Sequence, residues 1–133
     1  TSSLLVAEAL AHSDSVTVLL LGGRLRGRTL ATVDHWATDM LRGLVIDVAY
    51  LGTNGISVEH GLTTPDPAVA AVKHTAVTVA RRRVLVAAHS KFGADSFCRF
   101  AEVPDFETIV TGSELSPAEA GRYEALGPSV IRT

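Results

Sequence analysis

Residues 44–57 read LVIDVAYLGTNGIS, an apolar run that stops abruptly at Gly52-Thr53-Asn54-Gly55. The run is a strand carrying Asp47 near its beginning. Two glycines bracketing a Thr and an Asn then leave backbone N–H groups open, either to a ligand or to a tight turn. Upstream, VTVLLLGG (16–23) places apolar side chains on consecutive positions. That pattern marks a strand covered on both faces, as in a parallel sheet between helices. Downstream, TPDPAVAAVKHTAVTVARRR (64–83) is the clearest helix. Asp66 is its N-cap and Pro67 its first residue. Val69, Val72, Ala76 and Val79 form its apolar stripe, and arginines at its end suit the helix dipole. VLVAA (84–88) follows as a third buried strand ending at HSKFG (89–93).

The remaining segments continue the alternation. TSSLLVAEALAH (1–12) is a helix with a Thr or Ser cap. In VDHWATDMLRG (33–43), Asp34 is the expected cap, Trp36, Met40 and Leu41 share an apolar face, and Gly43 ends the helix. ETIVT is a short strand, SPAEAGRYEAL a helix capped by Ser116 with Pro117 at its start, and SVIR a last strand. The loop from Gly52 to Thr64 is longer than most, and long ordered loops are often functional. The order α, four βα pairs, then β predicts an α/β domain, Rossmann-like, with a mostly parallel sheet flanked by helices on both faces. A single domain over 1–133 is expected. Because Met40 is the only methionine and the chain starts at a helix cap, it reads as a fragment of a longer protein.

Composition narrows the function. The formal net charge of −2 argues against a domain that grips nucleic acid by itself. Arg24, Arg26 and Arg28, and the Arg81–Arg83 run, read as solvated helix ends or loops. No apolar run approaches the length of a membrane span. A lone Cys98 excludes an internal disulfide and fits a reducing compartment, so the cytoplasm is expected; Cys98 itself reads as a packed small side chain. The chain has no phosphate-loop, dinucleotide or nucleophile-elbow motif, and its five histidines lack metal-ligand spacing. Asp47, Asp66 and Asp95 are candidates for acid or base work, although capping and solvent exposure account for the last two; no metal, cofactor or catalytic residue is expected.

In an open parallel sheet, ligands bind at the carboxyl ends of the strands. Here those ends are GGRLRGRT, GTNGIS and HSKFG, an anion-friendly rim bearing Lys91. Lys73, two turns into the long helix, has two readings: it reaches back to that rim, or its stem snorkels to solvent.

These motifs, in this order, resemble the C-terminal effector-sensing domain of DeoR-family transcriptional regulators. The resemblance runs through TSSLLVAEALA, LLLGGRLRGRTLATV, DVAYLGTNGISVEHGLTTPDPAVAAVK, VLVAAHSKFG and FETIVTG. It implies a fold similar to ribose-5-phosphate isomerases and a phosphorylated-sugar effector. It also implies self-association into homo-oligomers, and DNA binding only through a helix-turn-helix that would lie upstream, with a first strand ending in a Gly-Thr-Thr type phosphate loop. It marks Gly52, Thr53, Asn54 and Gly55 as effector-lining, with Thr63 and Thr64 at the loop's mouth, Lys73 and Lys91 as cations, and Arg24 as a weaker candidate. Three positions depart from the family pattern. Val69 and Ala88 stand where carboxylates are usual, and Asp34 where a glycine is common. The first two weigh against the rival reading as a sugar-phosphate isomerase, which needs a placed carboxylate base. A ligand-free oligomerisation scaffold is the other rival.

Overall fold

The computed structural model describes residues 1–133, which form two compact units, Thr1–Leu44 and Val45–Thr133.

In the first unit, helix α1 (Leu4–Leu10) is capped by Ser3, whose hydroxyl accepts from the Val6 amide. Strands β1 (Arg24–Arg26) and β2 (Ala31–Val33) pair antiparallel, and helix α2 (His35–Arg42) follows. The VTVLLLGG segment is not a strand. A strand needs a partner along its length. The backbone bonds this one makes outside its own turn go to Thr1 alone, whose terminal ammonium donates to the Leu19 carbonyl and whose carbonyl accepts from the Leu21 amide. Side chains supply the rest, Thr32 Oγ1 donating to the Leu21 carbonyl and Met40 Sδ accepting from the Gly22 amide. Arg24 therefore sits in a hairpin rather than at the end of a parallel strand. The face of α2 also differs from expectation. Ala37, Thr38 and Leu41 are buried, while Trp36 and Met40 are exposed.

Asp34 precedes α2 without capping it through its side chain; its carboxylate instead accepts from Arg24 Nε at 2.7 Å. Its backbone stands at φ 77°, ψ −172°, a region that costs a non-glycine residue roughly 1–3 kcal/mol. The Arg24–Asp34 pair is well exposed and worth about 0–1 kcal/mol. Relief of strain outweighs loss of the pair, so Asp34→Gly is expected to stabilise the chain by about 1 kcal/mol. Urea denaturation measures this; a lower midpoint in the variant would show that the ion pair dominates.

The second unit carries the parallel sheet. Strand β3 (Ile46–Leu51) is followed by a hairpin, β4 (Gly55–Ser57) and β5 (Gly61–Thr64), then helix α3 (Pro67–Val79) and strand β6 (Ala80–Val86). A 3-10 turn over His89–Lys91 leads to β7 (Cys98–Ala101). Strand β8 (Thr108–Thr111), helix α4 (Pro117–Glu124) and β9 (Ser129–Arg132) complete it. Strands β3-β6-β8-β9 are parallel, and β4-β5-β7 form a small antiparallel sheet. The chain is thus α/β and Rossmann-like, a parallel sheet flanked by helices.

Asp66 caps α3 by accepting from the Ala68 and Val69 amides, and Ser116 caps α4 by accepting from Glu119. Leu51, Leu85, Ile109 and Val130 lie in one row of the sheet. Leu85 and Ile109 are fully buried with Ala70 and Val77 of α3, Tyr123 of α4, and Ile56, Leu62 and Phe100 of the small sheet. The buried stripe of α3 therefore centres on Ala70, Val72, Thr75 and Val77; Val69, Ala76 and Val79 are only half-buried. Residues of the opposite register, Tyr50, Val86 and Ile131, are exposed. Two further expectations are corrected. The Gly52–Thr64 loop is largely a hairpin, and Arg81–Arg83 belong to β6 rather than to a helix end, with Arg81 paired to Asp47 and Arg83 to Glu107. No helix is long and apolar enough to cross a membrane.

Candidate functional site

The carboxyl end of β3 delivers Gly52 to the same neighbourhood as the turn that follows β6. Strand β4 joins them. Ile56 forms an isolated parallel bridge with Phe92, and the Gly93 amide donates to the Ile56 carbonyl at 2.8 Å. The same carbonyl accepts from the buried Tyr123 hydroxyl at 3.1 Å, and that oxygen also lies 3.2 Å from the Gly93 amide. An edge-on contact between the Phe92 and Tyr123 rings packs the junction. Two motifs well separated in the chain, GTNGIS and HSKFG, are in this way stapled side by side.

Gly55 makes the close approach possible. A Cβ there would lie 2.3 Å from the Ala94 carbonyl oxygen and 2.9 Å from Thr63 Oγ1. At Gly52 a Cβ would meet only the Val86 carbonyl, at 3.7 Å. The two glycines of the motif therefore have different reasons to be glycine: one is demanded by packing, and the other is not.

The polar residues between them close the hairpin. The Thr53 hydroxyl shares its proton between the carbonyls of Gly55 (2.7 Å) and Thr63 (3.0 Å). The Asn54 amide donates to the Thr63 carbonyl at 3.2 Å, so that N–H is already used. Its side-chain oxygen accepts from Thr64 Oγ1 at 2.9 Å, leaving the carboxamide NH2 to face outward from an exposed residue. Thr63 and Thr64 are buried supports, not open edges of a loop.

Lys73 resolves between its two readings. Its ammonium reaches back to donate to the Gly52 carbonyl at 2.6 Å and lies 5.1 Å from the centroid of the Phe100 ring. Burial lowers its pKa to about 8. Lys91 stands in the neighbouring turn, where its backbone amide donates to the Ala88 carbonyl while its ammonium has no ion pair or hydrogen bond. Across the end of β8, Glu114 comes within 3.9 Å of His89 Nδ1. Arg24 lies in the first unit, engaged with Asp34. Gly52, Thr53, Asn54, Gly55, Thr64, Lys73 and Lys91 are therefore grouped in the second unit. Val69 is half-buried on the first turn of α3, and Ala88 is exposed before the His89 turn.

Sequence reading missed two participants, Tyr123 and Phe100, which act from elements distant in the chain. Asp95, a candidate acid or base that reads as solvent-exposed in the sequence, is instead held, accepting from Ser57 at 2.5 Å and lying 3.2 Å from His60 Nδ1. No local pattern marks such residues, because each is defined by a contact across tens of positions.

Comparison with known proteins follows the same lines. Residues 1–113 match the family described as DeoR C terminal sensor domain. The HTH-type transcriptional regulator GlpR of Haloferax volcanii is 38% identical over 114 residues, 86% of this chain and 45% of that protein. The HTH-type transcriptional regulator FruR of Bacillus subtilis is 37% identical over 99 residues, 74% of this chain and 39% of that protein. The HTH-type transcriptional repressor GlcR of Bacillus subtilis is 30% identical over 111 residues, 84% of this chain and 43% of that protein. The chain spans less than half the length of these relatives.

Proposed function

The chain belongs to the DeoR C-terminal sensor domain family, and from that premise we propose that it senses a phosphorylated sugar at the rim built by Gly52–Gly55 and His89–Gly93. The carrying observation is the stapling of these two motifs through Ile56 and Gly93 beside the unpaired Lys91 ammonium. A phosphate dianion gains from such a cation and from outward-facing donors such as the Asn54 carboxamide. Lys73, turned to the Gly52 carbonyl, holds the rim in shape and adds positive charge behind it.

In the full regulator the domain self-associates, and an attached helix-turn-helix contacts DNA. The effector acts by favouring one arrangement of the assembly over another, so that occupancy shifts the population competent to bind an operator. This is a binding role in the cytoplasm, with no catalytic step. Val69 and Ala88 offer no carboxylate for proton abstraction, and the relatives are named as regulators and a repressor.

The test is a thermal-shift titration with ribose 5-phosphate, fructose 6-phosphate, glucose 6-phosphate and the unphosphorylated sugars. A ligand at a hundred times its dissociation constant adds about 2.7 kcal/mol, a shift of several degrees. Stabilisation by at least one phosphorylated sugar is expected, and its loss in Lys91→Ala. An equal response to the unphosphorylated sugar, or an undiminished one in Lys91→Ala, would overturn the reading.

A further inference from the structure

His60, Thr63, Asp95, Ser96, Phe97 and Arg99 line an open cavity of about 280 Å³ against the rim hairpin. Its chemistry differs from that of the rim. The Asp95 carboxylate is held at both oxygens, one 2.5 Å from Ser57 Oγ and the other 3.2 Å from His60 Nδ1. Ser57 is itself buried, and its Oγ accepts from the His60 amide at 3.0 Å. An ionised carboxylate can accept about four hydrogen bonds, so a fixed Asp95 retains acceptor capacity toward the cavity. Arg99 Nη1 pairs with Glu102 at 2.9 Å, which leaves other guanidinium donors for a ligand. Phe97 is 86% exposed, more than any other large apolar side chain in the chain.

A positioned carboxylate, nitrogen donors and an open aromatic face in one concavity suit a compound with several hydroxyls on one side and C–H groups on the other. A phosphate suits it poorly, since Asp95 would face a second anion. The cavity also adjoins the rim through a single residue. Thr63 lines it, accepts from the Ser96 amide through Oγ1 at 2.9 Å, and through its carbonyl holds Asn54 and Thr53 of the rim.

We propose that this cavity is the polyol half of the effector site: Asp95 accepts from sugar hydroxyls, Arg99 and His60 donate to sugar oxygens, and Phe97 packs against the C–H face. The phosphate is left to the Lys91 rim. This supplies from a different loop the hydroxyl acceptor that Val69 and Ala88 cannot provide. The proposal rests on the sensor reading above.

Calorimetric titrations of wild type, Asp95→Asn and Phe97→Ala with ribose 5-phosphate, fructose 6-phosphate and inorganic phosphate test it. Asp95→Asn preserves the volume that packs against Ser57, and Phe97 is too exposed to carry folding. Both variants are expected to lose about tenfold or more in affinity for the sugar phosphate that wild type binds, with inorganic phosphate unchanged; tenfold corresponds to ~1.4 kcal/mol. Unchanged sugar-phosphate affinity in both variants would overturn the proposal while leaving the sensor reading intact. A parallel fall for inorganic phosphate would also overturn it, by placing Asp95 behind the phosphate rather than the sugar. If wild type binds none of the three, and not glucose 6-phosphate either, the sensor reading fails. An amide NMR titration with ribose and fructose then decides the cavity separately: shifts confined to His60, Ser96 and Phe97 keep it as a polyol site, and their absence removes it.

Discussion

Gly55→Ala is expected to destabilise the second unit by about 3 kcal/mol, lowering its melting temperature by roughly 10 °C or more. The added methyl would sit 2.3 Å from the Ala94 carbonyl oxygen and 2.8 Å from its carbon, both backbone atoms that cannot rotate away. Something must shift, and what shifts is the junction of β4 with the turn that follows Lys91. The Gly93–Ile56 hydrogen bond and the shared contact with Tyr123 lie one residue from the clash, so they loosen together. Gly52→Ala is the matched control. Its nearest neighbour would be the Val86 carbonyl at 3.7 Å, an ordinary contact, so folding stability is expected to stay within about 0.5 kcal/mol. Because Gly52 stands exposed at the rim, the same methyl is expected to obstruct a ligand that approaches its backbone. Thermal denaturation of the two variants with and without ribose 5-phosphate separates the effects. Equal stabilities would mean that the 94–96 loop yields easily and that Gly55 is not a packing requirement.

The pair also illustrates what was legible in the sequence. Helices α3 and α4 were readable because their start signals are local: Asp66 before Pro67, Ser116 before Pro117, each capping in the structure as the residue types imply. Strand β8, the apolar run before α4, strand β9, the run after it, and the α/β class followed from there. The grouping of GTNGIS with HSKFG was expected from the rule that ligands sit at strand ends, and β4, the end of the first motif, does bridge to Phe92 of the second.

What escaped depends on partners. VTVLLL is as apolar as any strand in the chain, yet strand formation requires a ladder, and Thr1 supplies only two hydrogen bonds. The β4–β5 hairpin went unread because its turn, Val58-Glu59-His60, lacks the usual glycine or asparagine pair. Only Gly61, at φ +69°, hints at it, with a Cβ position 2.4 Å from the Ala101 carbonyl oxygen. In α2 the spacing of Trp36, Met40 and Leu41 suggested a buried face, of which the packing keeps only Leu41, beside Ala37 and Thr38, and leaves Trp36 and Met40 exposed. Lys73 had two open readings because its spacing fits both; the Gly52 carbonyl and the Phe100 ring decide between them from outside the helix.

Lys73→Met is expected to leave the protein at least as stable at pH 7, by up to ~1 kcal/mol, while weakening sugar-phosphate binding about tenfold or more. Burial sets the sign. With its pKa lowered to about 8, the folded chain releases a proton that the unfolded chain keeps until about pH 10.4. Below pH 8 folding therefore carries the full cost of burying an ammonium, and wild-type stability rises with pH between about 8 and 10.4. Methionine keeps the apolar stem against Phe100 and removes that cost. The Gly52 carbonyl it abandons belongs to an exposed residue, so water replaces the lost donor. The advantage of the variant should shrink as pH rises through that window and vanish near its upper end, once wild-type Lys73 is neutral. Denaturation midpoints from pH 7 to 10, with binding measured at pH 7, make the comparison. A variant that is less stable at pH 7 and binds as wild type does would reduce Lys73 to a fastening between α3 and the end of β3. More stable folding with poorer binding would mean that the chain keeps an unfavourably buried charge because the rim requires it.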